Sequence, residues 1–342
     1  MRRPTRILVV VVVLLLAVVG GYGAYWHYVA GRIENGLVAW QQSESKHKVE
    51  ASWQRLRVVG FPFAFRIKID HAVFRDFSRS PAPELRLAQL SGTTRPWDFD
   101  DWQLAAPAGF TAELAPAGGQ PVAKLTVKSA QGAAAIGAKD AAWIWLGMQD
   151  LAATAAATVP IRSADAWVLL PAKPAVKDTD PSLGLAADLR HVGIAAPPVN
   201  FSKIIDEFAL GVTLKGVLPA GPLAQAAARW RDAGGTIEVE NLHVDWSGLG
   251  ISANGTLALD QKLQPIAAFS GGIEGFGAIL AALVAADQMT PEQASIVEIA
   301  LNQLAKPGPD GKPQITAPFT IQNGKAYLGP ARLGAIPRIV WE

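Results

Sequence analysis

The chain has 342 residues, a formal net charge of +2 and no cysteine. Disulfides, thiolate chemistry and cysteine metal ligands are therefore excluded, and no broad electrostatic pull toward nucleic acid is expected. Half of the residues are hydrophobic, enough for a large core arranged as two lobes or one elongated body.

Arg2, Arg3 and Arg6 precede an uncharged apolar run that begins at Ile7, passes through Leu14 and reaches Tyr25 and Trp26. A bilayer core needs about 20 apolar residues in a helix, so this run is long enough to span. Arginines before it and the aromatics Tyr22, Tyr25, Trp26 and Tyr28 after it match the positive-inside rule and the aromatic belt. The expectation is a cytoplasmic N-terminus with the chain beyond Trp26 exported. The rival reading is a cleaved signal peptide, with Gly20, Gly21 and Gly23 as its small residues. Tyr22, Tyr25 and Trp26 crowd that cut site and no Ala-x-Ala stands there, so a retained anchor is favoured. Both readings place the remainder outside the cytoplasm.

Ile33, Leu37 and Trp40 fall at helical spacing, so the helix is expected to continue past the membrane until the polar run 41–48 ends it. From Val49 the pattern becomes that of strands. Gly60-Phe61-Pro62-Phe63 is a break, after which Phe63, Phe65, Ile67 and Ile69 alternate with polar residues, as in an antiparallel strand with one wet face. A strand at 84–90 leads to an aromatic loop at 96–102. Strands follow at 110–114, 122–129, 131–136, 143–146 and 167–170, separated by Pro-Gly or Gly-Ala turns. The proline-bearing stretch 171–181 reads as an exposed loop and as the lobe boundary.

Strands at 183–189 and 208–214 open the second lobe. A helix at 222–232 is closed by Gly234-Gly235. In the strand 236–246 the alternation slips after Asn241, which suggests a β-bulge. Ile251, Ala253, Gly255, Leu257 and Leu259 make the next apolar face, and 265–273 the next strand. A helix at 276–286 precedes one started by Thr290, Pro291 and Gln293, a capping box with proline at the first helical position. Its expected buried stripe is Ile296, Ile299, Ala300 and Leu304. Strands at 315–322 and 325–328 meet at Asn323-Gly324, the pair favoured in a type I′ hairpin.

The expected fold is α+β and β-rich: an N-terminal transmembrane helix followed by long antiparallel meander sheets with a few inserted helices. Its expected divisions are a cytoplasmic stub and anchor at 1–28, a juxtamembrane helix at 29–48, and β-rich lobes at 49–172 and 182–342. No fixed repeat period is present.

Residues suited to chemistry are sparse. The five histidines lie tens of residues apart, with no pair on one helix face to hold a metal. Asp98, Asp100 and Asp101 form the densest carboxylate cluster, but the glycine and distal glutamate of a calcium loop are missing. Ser43 and Lys46 make a Ser-x-x-Lys pair without its partner motifs, and neither a nucleophile elbow nor a phosphate loop occurs. No catalytic residue, metal or cofactor is therefore expected, and no ligand-binding residue stands out. Trp97, Trp102, Trp143, Trp145, Trp167 and Trp246 fall near strand ends or in loops, as packing residues or as a lipid-facing aromatic rim.

Several motifs together resemble a known family. They are the unit from Trp53 to Gly60, Phe61, Pro62 and Phe63; Thr94-Arg95-Pro96-Trp97; Gly255-Thr256-Leu257-Ala258-Leu259-Asp260; and the ending Asn323-Gly324 through Gly329-Pro330. The chain resembles domain of unknown function 2125, found in Gram-negative envelope proteins, over nearly its whole length after the anchor. That resemblance implies structural roles for Gly60, Pro62, Pro96, Trp97, Gly255, Asn323, Gly324, Gly329 and Pro330, and supplies no catalytic residues. The meander 241–273 is more distantly similar to AsmA-like proteins, membrane-anchored and implicated in envelope lipid homeostasis. The resulting expectation is a non-enzymatic single-pass protein of the inner membrane with its bulk in the periplasm. It would serve envelope organisation or lipid handling through an apolar sheet face. The alternatives are a scaffold for another envelope protein, or a hydrolase built on the Asp98 cluster. Expected partners are the membrane, with lipid or another envelope protein, and no nucleic acid.

Overall fold

In a computed structural model of the protein, residues 3–46, 48–78, 81–116, 119–137, 141–308, 311–329 and 331–341 are described. Arg2, His47 and Pro330 lie outside them. Arg3, Arg6 and Ile7 lie in the first turns of a helix. The chain divides into two compact units, Met1–Ile136 and Gly137–Glu342.

The first unit opens with α1 (Arg3–Ser45), 43 residues without a break and about 65 Å long. The expected anchor and juxtamembrane helix are thus one element. Uncharged aliphatics suit a helix wherever water cannot serve the backbone, because every interior N–H and C=O is paired within it. Seven strands follow: β1 (Val49–Ser52), β2 (Arg55–Val59), β3 (Phe65–Asp76), β4 (Ala82–Arg95), β5 (Asp98–Ala106), β6 (Phe110–Ala115) and β7 (Ala123–Ala135). β3 pairs with β1, β2 and β4; β4 pairs with β5 at one end and β6 at the other; both of these pair with β7, always antiparallel. His71 has a φ of 52°. There the buried positions of β3 step from Ile69 to Ala72, which a strictly alternating strand would not allow.

Helix α1 supplies the cover for this sheet. Trp26 and Ala30 are buried with Val58 and Phe65, and Val29, Ile33 and Ile67 pack around them. The Trp26 indole stacks on Phe65 at 5.1 Å and donates to Ala64 O at 3.1 Å. Farther along, Glu34 Oε1 accepts from Val58 N at 2.7 Å, and Gln41 Nε2 donates to Ala51 O at 2.6 Å. Spacing of i, i+3, i+4 and i+7 puts Trp26, Val29, Ala30 and Ile33 on one side of the helix. That stripe starts two turns before the expected one.

The second unit is a meander. It contains β8 (Ala141–Thr154), β9 (Thr158–Pro171), β10 (Pro181–Gly193), β11 (Ile204–Lys215), α2 (Leu223–Asp232), β12 (Thr236–Trp246), β13 (Leu249–Leu259) and β14 (Pro265–Glu274). After it come α3 (Gly277–Ala285), α4 (Pro291–Leu304), β15 (Lys306–Pro307), β16 (Pro313–Gln322), β17 (Lys325–Leu328) and β18 (Ala331–Ala335). Strands β8 to β14 each pair antiparallel with the next; β14 then pairs with β16, which carries β15 and leads to β17 and β18. The loop at 171–181 joins β9 to β10, two strands paired along most of their length. Between Val239 and Leu242 the register shifts, where the alternation slips. Asn323 and Gly324 have φ values of 53° and 69°, as a type I′ turn requires.

Helix α4 corrects one expectation. Its capping box is formed, Thr290 Oγ1 accepting from Gln293 N at 3.2 Å and Gln293 Oε1 from Thr290 N at 3.0 Å. Its apolar stripe is nevertheless exposed, with Ile296, Ile299 and Leu304 open to solvent. Periodicity marks an apolar side but does not supply its cover, and among the described residues α4 buries none of its own.

Candidate functional site

Residues paired across an antiparallel ladder share a face, and neighbours along a strand point to opposite faces. In the second unit this arithmetic gives one apolar face. A first row runs Ile144, Val168, Leu185, Val212 and Val239 from β8 to β12, and continues through Gly255, Phe269 and Phe319. Two positions along lies a second row that includes Leu146, Leu210, Leu242 and Ala253. A third includes Met148, Leu189, Phe208, Val244, Ile251 and Ile273. The other face carries Thr213 beside Glu238, and Ser163 beside Arg190 and Glu207. Ion pairs tie it together, Lys215 to Glu238 and Arg190 to Glu207, both at 3.5 Å.

Among the described residues of the second unit, no helix buries a whole stripe on the apolar face. Helix α2 buries only Ala227 and Trp230, and the Trp230 indole donates to Lys215 O at 2.8 Å, at the strand ends. Helix α3 buries only Leu280. A covering helix would bury a whole stripe. Leu185 stays 38% exposed and Ile144 39%, while Met148 and Val239 are buried.

The residues of these rows carry no polar side chain, so the contact the face offers is apolar. Glycine at 255 lets the backbone of β14 approach closely: a Cβ there would stand 2.2 Å from Ala268 O. On the polar side a hollow of about 940 Å³ is bounded by His243, Asp245, Ser252, Glu274, Glu298 and Gln314. Gln314 Nε2 donates to Ser252 Oγ and Glu274 Oε1, both at 3.3 Å. Among the described residues no group of three His, Asp or Glu side chains is placed to hold a metal ion.

The other residues singled out in the sequence fall in two places. Gly60, Pro62, Pro96 and Trp97 gather at one end of the first unit, beside Tyr22, Tyr25 and Trp26 of α1. There the Tyr22 hydroxyl donates to Pro62 O, and that of Tyr25 to Pro96 O at 3.3 Å. Gly60 has a φ of 113°, and the Phe61–Pro62 peptide is cis. Leu14 is 60% exposed on the free stretch of α1. Gly255, Asn323, Gly324 and Gly329 belong to the second unit. Asp98, Asp100 and Asp101 open β5 rather than lying in a loop. Ser43 donates its hydroxyl to Trp40 O at 2.8 Å, at the helix end. The rows from β8 to β11 were not singled out as a binding face, although their alternation was visible; only the pairing shows that the apolar sides coincide.

The architecture is that of a β-rich protein with one N-terminal apolar helix, α1, which by length and composition is a candidate membrane span. The chain belongs to the family described as "Uncharacterized protein conserved in bacteria (DUF2125)", whose model matches residues 26–337. No curated protein and no solved structure matches it, and nothing found carries the more distant AsmA-like resemblance.

Proposed function

We propose that α1 anchors the protein in the bacterial inner membrane with its N-terminus in the cytoplasm. The β-rich units then stand on the periplasmic side, and the apolar face of the second unit receives acyl chains. The role is lipid handling or envelope organisation, without catalysis. One observation carries this reading: three apolar rows cross eight strands, and among the described residues of the second unit no helix buries a whole stripe on them. Each methylene moved from water onto such a face contributes about 0.8 kcal/mol, enough for affinity without polar contacts. A retained anchor is supported by Tyr22, whose bond to Pro62 O would be lost on cleavage after Gly23.

The test is native mass spectrometry of the full-length protein released from membranes, followed by lipid extraction. Wild type is expected to carry lipid, and a Leu185→Glu/Val212→Glu variant to carry much less. Equal lipid on both, or none on wild type, overturns the reading. A second reading, docking of another envelope protein, is favoured by the bare Ile296, Ile299 and Leu304 stripe of α4. An Ile296→Asp/Ile299→Asp variant that keeps its crosslinked neighbours would remove it.

A further inference from the structure

We infer that the first unit has a membrane-contact collar, in which Phe61, Phe63 and Trp97 enter the interfacial layer of the bilayer that α1 crosses. This inference rests on the reading of α1 as a span. From Ile7 to Trp26 the helix rises about 28 Å, close to the roughly 30 Å of a hydrocarbon core. Trp26 therefore marks the outer boundary. Burial changes at the same place: Leu14 and Leu16 are 60% and 66% exposed, whereas Trp26 is 3% exposed against the sheet.

Two turns are fixed at that level. The β2–β3 turn is held by Tyr22 through Pro62 O and by the Trp26 indole through Ala64 O at 3.1 Å. The β4–β5 turn is held by Tyr25 through Pro96 O at 3.3 Å. Both turns point large aromatics outward: Phe63 is 73% exposed and Trp97 66%. Phe61, in ring contact with Tyr22, Trp26 and His27, is half exposed between them.

The backbone at these tips suits a layer poor in water. Pro62 and Pro96 have no N–H to satisfy and their carbonyls are taken by tyrosines, while Ala64 N donates to Gly60 O at 3.0 Å. Aromatics with one apolar side favour this depth. Arg66 and Arg95 are exposed nearby on β3 and β4, but Asp98, Asp100 and Asp101 at the start of β5 more than match them. The contact is therefore apolar and indifferent to lipid charge.

The chain contains no cysteine, so single spin labels can be placed cleanly. Full-length protein carrying Phe63→Cys or Trp97→Cys would be reconstituted in phosphatidylcholine vesicles. Val13→Cys serves as the lipid reference. Val122→Cys serves as the water reference, exposed beside β7 at the far end of the β6–β7 hairpin from these turns. Electron paramagnetic resonance then compares collisions with oxygen, which prefers lipid, and with a water-soluble nickel chelate. The expected result is an oxygen-to-nickel ratio at positions 63 and 97 severalfold above that at 122, unchanged when phosphatidylglycerol is added. Ratios equal to that at 122, with position 13 in lipid, overturn the collar and leave the span standing. A ratio that rises only with phosphatidylglycerol replaces it by electrostatic attraction. An aqueous reading at position 13 removes the span itself, and the collar with it.

Discussion

The two units build the same kind of face and treat it differently. In the first, Val58, Phe65 and Ile67 lie under Trp26, Val29, Ala30 and Ile33 of α1, and the face becomes core. In the second, the rows through Val168, Leu185 and Val212 meet no such helix; α2 serves the strand ends and α4 buries nothing. Alternation alone produces an apolar side, and what it becomes depends on whether another element arrives to cover it. The first unit therefore depends on α1 for stability. The second depends on strand pairing and on contacts between side-chain neighbours of one face, and part of its apolar surface stays exposed.

Truncation of the covering element breaks this contrast most severely. Trp26→Ala removes a buried indole, its stacking on Phe65 and its bond to Ala64 O, and should cost about 3–5 kcal/mol. Leu210→Ala, on the half-covered face, should cost about 1 kcal/mol, because fewer contacts are lost. Urea unfolding of the detergent-solubilised protein measures both; equal losses would show the faces to be equally packed. Next in size is Gly255→Val. Its side chain would collide with Ala268 O and with Phe269, whose Cα lies 2.7 Å from the added Cβ. A loss of about 2–3 kcal/mol is expected, with the first unit's transition unmoved.

The same contrast explains what was legible in the sequence. An unbroken aliphatic run identifies a long helix, and Phe63 to Ile69 or 236–246 identify strands, because these signals are local. The turn at Asn323-Gly324 was equally plain, since its chemistry resides in two residues. Partner choice was not legible. Nothing near 82–95 says that β4 divides its length between β5 and β6, because register is decided by contacts far along the chain. Trp26 was read with Tyr22 and Tyr25 as one aromatic belt. The structure separates them by burial: all three reach turn carbonyls, but the Trp26 indole is also buried against Phe65 while Tyr25 stays exposed. Phase steps at His71, Asp150 and His191, all with φ near 50°, were also missed. These residue types tolerate that region better than most, yet they occur too widely to announce it. The apolar side of α4 was visible in its spacing, but its lack of cover is a fact about its neighbours.

A smaller effect sharpens the contrast at α4. Thr290→Ala removes the accepting oxygen of the capping box and should weaken the helix by about 1 kcal/mol. Because α4 buries no side chain, the loss should remain local. Hydrogen exchange should speed up in the first turn of α4 while β12 to β14 keep their protection. Spread of the effect into those strands would show that the helix braces the sheet after all.

The smallest expected effect concerns acid, and it again divides the units. In the first unit, Glu84 accepts from Arg75 Nε at 2.5 Å, with Arg86 on its other oxygen. Hydrogen bonding to Arg75, opposed by partial desolvation and aided by the charges of Arg75 and Arg86, holds this carboxyl below the ordinary glutamate range. A carboxylate with a depressed folded-state pKa contributes stability that is fully present above the unfolded value, about 4.3. That contribution is lost as pH falls through the folded value. Arg75 is 38% exposed, so solvent screening keeps the contribution small. Glu84→Gln should therefore lower first-unit stability slightly at pH 7 and narrow its gap from wild type as the pH drops below 4. Equilibrium unfolding at a series of pH values reads that gap directly. A constant difference between the two proteins would mean that the carboxylate acts through packing, with its charge contributing nothing.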